Sequence, residues 1–364
     1  MWSENPIVQQ CKVRFPLVQA PMAGVATPRL IAAVSNAGGL GSLGAGYMTP
    51  SEIREAISEI RDLTELPFAV NLFAPAAPAY DQKTIDSAQK FLDRFRNELE
   101  IPHSSPDFSS LPVFEEQIEI ILEEKPRVFS FTFGLPPLPL LERLKKENIL
   151  IMGTATTLDE ALLLEKWGVD SVIAQGAEAG GHRGAFLNCA NDPMLSMAAL
   201  VPLLGHALKI PVIAAGGIMN GEGIAAALSL GAAGVQLGTA FLACPESGAS
   251  RSYKDALLHY HAKTTLTDVF TGKAARMLHN KFIETFEHEK APIAPFPFQH
   301  LLTKDIRTAA GKIDRTDMLS LYAGQNYPLI TNLPASEILP LLVEQTIDTI
   351  QKLNKDLIRK RKIV

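Results

Sequence analysis

ILIMGTATTLDEALLLEKWGVDSVIAQ, residues 149–175, contains one complete structural unit and shows which kind of sheet the chain builds. Its ends, Ile149–Met152 and Ser171–Ala174, are short runs that are apolar on both faces, as strands buried within a parallel sheet are. Between them Thr157 reads as a helix cap, Glu160 stands at capping-box spacing, and Gly168 is a stop signal. Strand, helix and strand in this order make a right-handed crossover between parallel neighbours.

The same unit recurs on either side. Further candidate strands are Leu17–Ala20, Leu40–Leu43, Phe68–Leu72, Val128–Phe131, Val212–Ala215 and Val235–Leu237. TPSEIREAISEIR opens with Thr49 as cap, Pro50 in the first turn and Glu52 completing a capping box. Ile53, Ile57 and Ile60 then share one helical face. NGEGIAAALSLG repeats the pattern and ends at Gly231. Eight strands alternating with helices are the number that closes a (β/α)8 TIM barrel, which we prefer to an open doubly wound sheet.

Two segments break the rhythm. Residues 74–125 include a polar helical stretch and IPHSSPDFSSLP. The chain beyond the eighth strand includes APIAPFPFQHLL and a last helix, Ser336 to Arg359. Insertions after barrel strands emerge on the catalytic face, so these are expected to form a smaller helical cap domain. The expected division is 1–78, 117–247 and 324–364 for the α/β barrel, with 79–116 and 248–323 for the cap.

Composition narrows the function. With 47% hydrophobic and 20% charged residues the chain can bury a large core, and a net charge of −5 gives no basic field for nucleic acid. The basic tail KDLIRKRKIV reads as a solvated helix end. Cys11, Cys189 and Cys244 have neither metal-ligand nor CxxC spacing, so no metal and no disulfide framework is expected. The N-terminus lacks the apolar core of a signal peptide, and no run of about 18 apolar residues marks a membrane span. A cytoplasmic protein without membrane partners is the simplest expectation.

Catalytic groups in such barrels lie at the C-terminal ends of strands. Here those ends read QAPMAG, GSLGAGY, VNLFAP, SFTFGLP, MGTATT, AQGAEAGGHRG, AAGGIMNG and QLGTAF. The last two suit a phosphate held by backbone N–H groups, and Gly216, Gly217, Gly238 and Thr239 are its candidates. No GxGxxG pattern accompanies them, so a single phosphate fits, as in a mononucleotide such as FMN. Asn71 and Gln175 place amides in the barrel mouth, either to match the edge of a flavin ring or to cap a neighbouring strand. His182, after Gly180 and Gly181, is the first catalytic candidate, with Glu178 or Arg183 to tune or orient it. His300, with Lys304 on the same expected helix, is the next.

QAPMAG, AQGAEAGGHRG, AAGGI and QLGTAF resemble the nitronate monooxygenases, once called 2-nitropropane dioxygenases, over nearly the whole chain. SFTFGLP, TGKAARMLHN and LYAGQ are similar to their class I branch. The resemblance implies non-covalent FMN on Pro21, Met22, Asn71, Gln175, Gly180, Gly217, Gln236, Leu237, Gly238 and Thr239. It implies His182 as the active-site histidine with Thr132 beside it, and Thr132, His300 and Lys304 are expected on the substrate side. Many relatives carry a histidine where this chain has Thr132, which bears on neutral nitroalkanes more than on nitronates that arrive ionised. The reaction implied is oxidation of an alkyl nitronate, of the propionate 3-nitronate type, by O2 to a carbonyl product and nitrite. Such an enzyme would act as a monomer or homodimer. A flavin enoyl-ACP reductase and an NAD(P)H:quinone reductase on the same barrel are the rival readings. A non-enzymatic phosphate-binding barrel is the reading from another class.

Overall fold

The computed structural model describes residues 2–75, 81–103, 106–108, 111–187, 191–259 and 262–361. Its strands are β1 (Leu17–Gln19), β2 (Gly41–Gly44), β3 (Phe68–Phe73), β4 (Val128–Thr132), β5 (Leu150–Ala155), β6 (Ser171–Gln175), β7 (Gly181–His182), β8 (Val212–Ala215), β9 (Gly234–Leu237), β10 (Thr264–Thr267) and β11 (Ala275–Leu278). Eight of them form one parallel sheet in the order β1-β9-β8-β6-β5-β4-β3-β2. A parallel bridge from Val18 to Leu40 joins the two ends. There Gln19 N–H donates to Leu40 O and Leu40 N–H to Leu17 O, each at 2.9 Å. All eight strands expected from the sequence are present, with ends shifted by a residue or two except that β5 runs on to Ala155.

The barrel is filled and plugged. Val18, Leu40, Ala69, Val128, Met152, Ile173 and Ile213 pack inside it together with Ile7 and Cys11 of the short helix Pro6–Cys11. That helix closes the N-terminal end: Asn5 Nδ2 donates to Ala233 O at 2.7 Å and Arg127 Nε to Gln10 O at 3.0 Å. A larger core lies between the strands and the outer helices, where Ile53, Ile57 and Ile60 of the helix Pro50–Leu63 are fully buried. Burial of such side chains contributes roughly 1.5–3 kcal/mol each.

Helix ends follow the sequence signals with one exception. Thr49 and Glu52 form the reciprocal capping box. Gly168 ends its helix at φ 88°. Thr157 caps the helix Leu158–Trp167, but the Glu160 carboxylate does not turn back to complete a box. It bonds Thr156 and a loop beyond β6 instead, because burial draws it to four unpaired donors.

A second core unites the helix Gln82–Glu98 with residues 269–318, through Leu92, Phe95, Phe270, Phe282, Phe286 and Leu302. Its helices are Lys281–Glu289, Phe298–Leu302 and Lys304–Lys312. The cap also contains a small antiparallel sheet, β10-β11-β7, which the sequence reading lacks. The last helix is Ala335–Arg361, and its Leu339 and Leu342 return to the barrel core. Part of IPHSSPDFSSLP, Cys189, and the side chains of KDLIRKRKIV from residue 356 on lie outside the described residues. Cys11 and Cys244 are free and buried. Among the described residues no helix is long and apolar enough to cross a membrane.

Candidate active site

The loop after β6 is built by buried charge. Arg183 is almost fully buried and grips Asp192 with two hydrogen bonds, Nε to Oδ2 at 2.6 Å and Nη2 to Oδ1 at 3.0 Å. Its Nη1 donates to Gln175 O at 2.6 Å. Glu160, with no exposed surface, accepts from Thr156 N–H and Oγ1 at 2.7 Å each, from Phe186 N–H at 2.6 Å and from Leu187 N–H at 2.9 Å. The Gln175 amide donates to His182 O at 3.0 Å and accepts from Gly184 N–H at 2.7 Å. Gln175 thus holds the loop of His182 rather than capping a neighbouring strand.

The company expected for His182 is different from the company it keeps. Arg183 is spent on Asp192, and the Glu178 carboxylate accepts from Met197 N–H at 2.9 Å. Neither orients the imidazole. His182 Nε2 lies 2.9 Å from Thr271 Oγ1, which comes from the cap. The pairing of β7 with β11 brings it there, with His182 opposite Ala275. Burial, reinforced by the Lys273 and Arg307 cations, lowers the His182 pKa to about 3. An imidazole suited to titrate near neutrality was expected; the site holds a neutral one.

Aromatic rings fill the mouth around it. Phe133, Phe296 and Tyr322 have ring centroids 5.9, 6.2 and 5.4 Å from that of His182. Phe133 follows β4 at φ 77°, a left-handed conformation that a bulky residue adopts at a cost. Phe73 packs on Phe133 at 4.7 Å and on Tyr47 at 5.0 Å. Tyr47 stacks flat on His300 at 4.1 Å. Burial and the Arg307 guanidinium push His300 down to about 2, and Arg307 Nη2 lies 3.3 Å from its Nδ1. Lys273 Nζ lies 4.6 Å from the Phe133 ring centroid. The Tyr47 hydroxyl is buried with no hydrogen-bond partner among the described residues.

Among the residues expected on the substrate side, Thr132 is half-buried with its hydroxyl 3.5 Å from that of Thr154. His300 joins the aromatic group, whereas Lys304 sits at an exposed helical position. Sequence reasoning missed Thr271, Lys273, Arg307, Tyr47, Phe73, Phe133, Phe296 and Tyr322. Tyr47 of GSLGAGY, Phe73 of VNLFAP and Phe133 of SFTFGLP, aromatic residues at strand ends, are a readable signal for three of them.

The residues expected to meet a phosphate follow β8 and β9. Gly216 and Gly217 adopt φ 123° and 67°, which turns the chain after β8. The backbone N–H groups of Gly217, Ile218, Gly238 and Thr239 meet no acceptor among the described residues. Unpaired N–H groups after the seventh and eighth barrel strands are what an anion cradle needs. Gly238 lies against Ala20 and the Met22 sulfur, so QAPMAG borders the end of β9. Leu237 is buried in the core, Gln236 is half-buried, and Thr239 Oγ1 accepts from Gly324 N–H at 3.0 Å. Asn71 Nδ2 donates to Ser130 Oγ at 2.9 Å. Gly180 has a packing reason of its own: a Cβ there would lie 2.5 Å from Gly324 N and 2.6 Å from Ala323 C. Among the described residues no group of three His, Cys, Asp or Glu is placed to hold a metal.

The fold defines a class, the (β/α)8 TIM barrels, with unpaired N–H groups after its seventh and eighth strands. The nitronate monooxygenase family profile matches residues 4–345. A probable nitronate monooxygenase of Staphylococcus haemolyticus is 40% identical over 95% of this chain and 98% of its own. One from Staphylococcus aureus is 41% identical over 95% and 98%. Among solved structures, nitroalkane oxidase from Streptomyces ansochromogenes is 38% identical with a TM-score of 0.89, covering 95% of this chain and 99% of that one. FabK from Thermotoga maritima is 29% identical with a TM-score of 0.75, over 97% and 99%. The chain belongs to the nitronate monooxygenase family. It is a flavin-dependent monooxygenase, and its cofactor is FMN.

Proposed function

We propose that the substrate is an alkyl nitronate of the propionate 3-nitronate type, oxidised with O2 to a carbonyl product and nitrite, with His182 as the residue that meets its reacting end. The observation that carries this reading is a neutral imidazole set among aromatic rings and close enough to the Lys273 and Arg307 cations for both to depress its pKa. A small anion is attracted to those cations, and the rings exclude the water that would screen the attraction. FMN, when bound, supplies the electron transfer that links the substrate to O2. Gly217, Gly238 and Thr239 would hold its phosphate, with Pro21, Met22, Asn71, Gln175, Gly180, Gln236 and Leu237 around the rest. Thr132, His300 and Lys304 would act on the substrate side. An anion beside His182 favours imidazolium, so the imidazole gains a proton as the nitronate binds and then donates to its oxygens. The enzyme is read as cytoplasmic, a monomer or homodimer, with the nitronate and O2 as its small-molecule partners.

The likeness to FabK favours one other reading, a flavin reductase that draws on NAD(P)H. Anaerobic mixing separates the two. Flavin absorbance that changes rapidly with propionate 3-nitronate and not with NADH supports the proposal, as does nitrite release in air that falls about 10²–10⁴-fold in His182→Asn. Bleaching by NADH alone, or nitrite release undiminished in the variant, overturns it.

A further inference from the structure

We infer that Thr271 is a positioning residue that fixes His182 as the Nε2–H tautomer, so that Nδ1 is the atom presented to the substrate. The inference rests on the assignment of His182 as the reacting imidazole. It follows from counting one proton. The Thr271 hydroxyl stands 3.1 Å from Lys273 O, in position to donate to it. Its oxygen also receives the Lys273 N–H at 3.4 Å. With its single hydrogen given to the carbonyl, Thr271 Oγ1 can only accept from the nitrogen 2.9 Å away, His182 Nε2. Which ring nitrogen is protonated is set by the hydrogen bond the other environment permits. His182 Nδ1 has no hydrogen-bond partner among the described residues, nor is it a fully enclosed atom left unsatisfied. Its lone pair is therefore open to the site.

The turn that carries Thr271 is held firmly enough to impose this choice. Thr271 is 1% exposed. Thr271 N–H and Gly272 N–H both donate to Asp268 O, at 3.1 and 2.7 Å. On the same turn, Gln299 Nε2 donates to Val269 O at 2.7 Å and Thr303 Oγ1 to Phe270 O at 2.6 Å, both from fully buried side chains. On the other side, Gln175 and the β7 pairing fix the backbone of His182. The imidazole is clamped between two rigid supports, and reversing the tautomer would leave Lys273 O without the hydroxyl. A proton exchanged with substrate then passes through Nδ1 alone, and the Nε2–H to Thr271 bond survives both protonation states of the ring.

Nitrogen NMR of the FMN-loaded enzyme labelled in its histidines reads this directly, with His182 assigned by its loss in His182→Asn. The expected wild-type spectrum has a protonated Nε2 and a bare Nδ1 across pH 6–9. Thr271→Val is expected to mix the tautomers and lower kcat roughly 10²-fold with KM changed less than kcat and flavin retained. Thr271→Ser is expected to restore both spectrum and rate. A bare Nε2 in the wild type overturns the inference, as does a Thr271→Val enzyme with wild-type tautomer and rate. Should the valine variant not fold, the wild-type spectrum and the serine variant decide. The spectra need no substrate, so they stand apart from any failure to turn over nitronates.

Discussion

Replacing Glu160 tests whether the loop after β6 is held by one buried carboxylate. Its two oxygens accept four hydrogen bonds, between 2.6 and 2.9 Å, from Thr156 and from the backbone of Phe186 and Leu187. Glu160→Gln keeps an oxygen for the loop donors but turns an NH2 toward Thr156. The Thr156 hydroxyl can reverse and accept; the Thr156 N–H cannot, and it is left facing a donor in a buried place. The remaining bonds also lose their charge assistance. One lost charged bond and one stranded N–H together cost about 2–3 kcal/mol. Glu160→Ala strands all four donors beside a cavity and is expected to cost about 4–5 kcal/mol. Urea unfolding followed by circular dichroism gives the stabilities, and nitrite release per folded enzyme reports the position of His182. The order wild type, Gln, Ala is expected in both. A Glu160→Ala protein that loses less than about 1 kcal/mol refutes the accounting. One that is destabilised yet turns over at the wild-type rate refutes the link from Glu160 to the histidine.

Gly180→Ala would set a methyl 2.5 Å from Gly324 N, and such overpacking costs about 1–3 kcal/mol. Because Gly324 N–H bonds Thr239, a residue proposed to hold the FMN phosphate, FMN affinity is expected to fall as well, which flavin fluorescence titration measures; unchanged affinity would detach this contact from the cofactor. Tyr47→Phe removes a buried hydroxyl with no partner among the described residues, so urea unfolding should show stability equal or higher by up to about 1 kcal/mol, and a loss of that size would mean the hydroxyl is satisfied. His182 and His300 bind protons near pH 3 and 2 in the fold, against 6.5 ordinarily. Between about pH 3 and 6.5 the unfolded chain therefore takes up more protons, and stability falls as pH is lowered through that window. The slope of stability against pH should flatten there in the double variant His182→Asn, His300→Asn, and an unchanged slope would show that other groups set it.

The barrel was readable because its strands are apolar on both faces and its helices carry explicit stops, so runs such as Ser171–Ala174 admit little else. Reading AQGAEAGGHRG placed His182 at the mouth for the same reason. Its partners were not readable in that way. Arg183 and Glu178 look like neighbours in one dimension, but in the fold Arg183 points to Asp192 while His182 points to Thr271. Thr271, Lys273 and Arg307 come from segments about ninety residues or more further on, joined to the site only by tertiary packing. TGKAARMLHN is similar to the class I branch, but nothing in one dimension gives its threonine a chemistry. Glu160 had the spacing of a capping box, and the sequence carries no sign that four donors elsewhere would compete for it.

The pairing of β7 with β11 has a consequence for how the enzyme can change over evolutionary time and on the scale of a turnover. His182 is covalently part of the barrel, yet its strand is hydrogen-bonded into the sheet of the cap. A cap that swung away as a hinged door would strip the histidine of Thr271 and unzip its strand. Access has to come from smaller adjustments among the side chains packed on His182, such as Phe296 and Tyr322. A cap exchanged for another would have to bring its own β11 edge and its own hydroxyl, so a change of substrate range and retention of the imidazole are bound to a single surface.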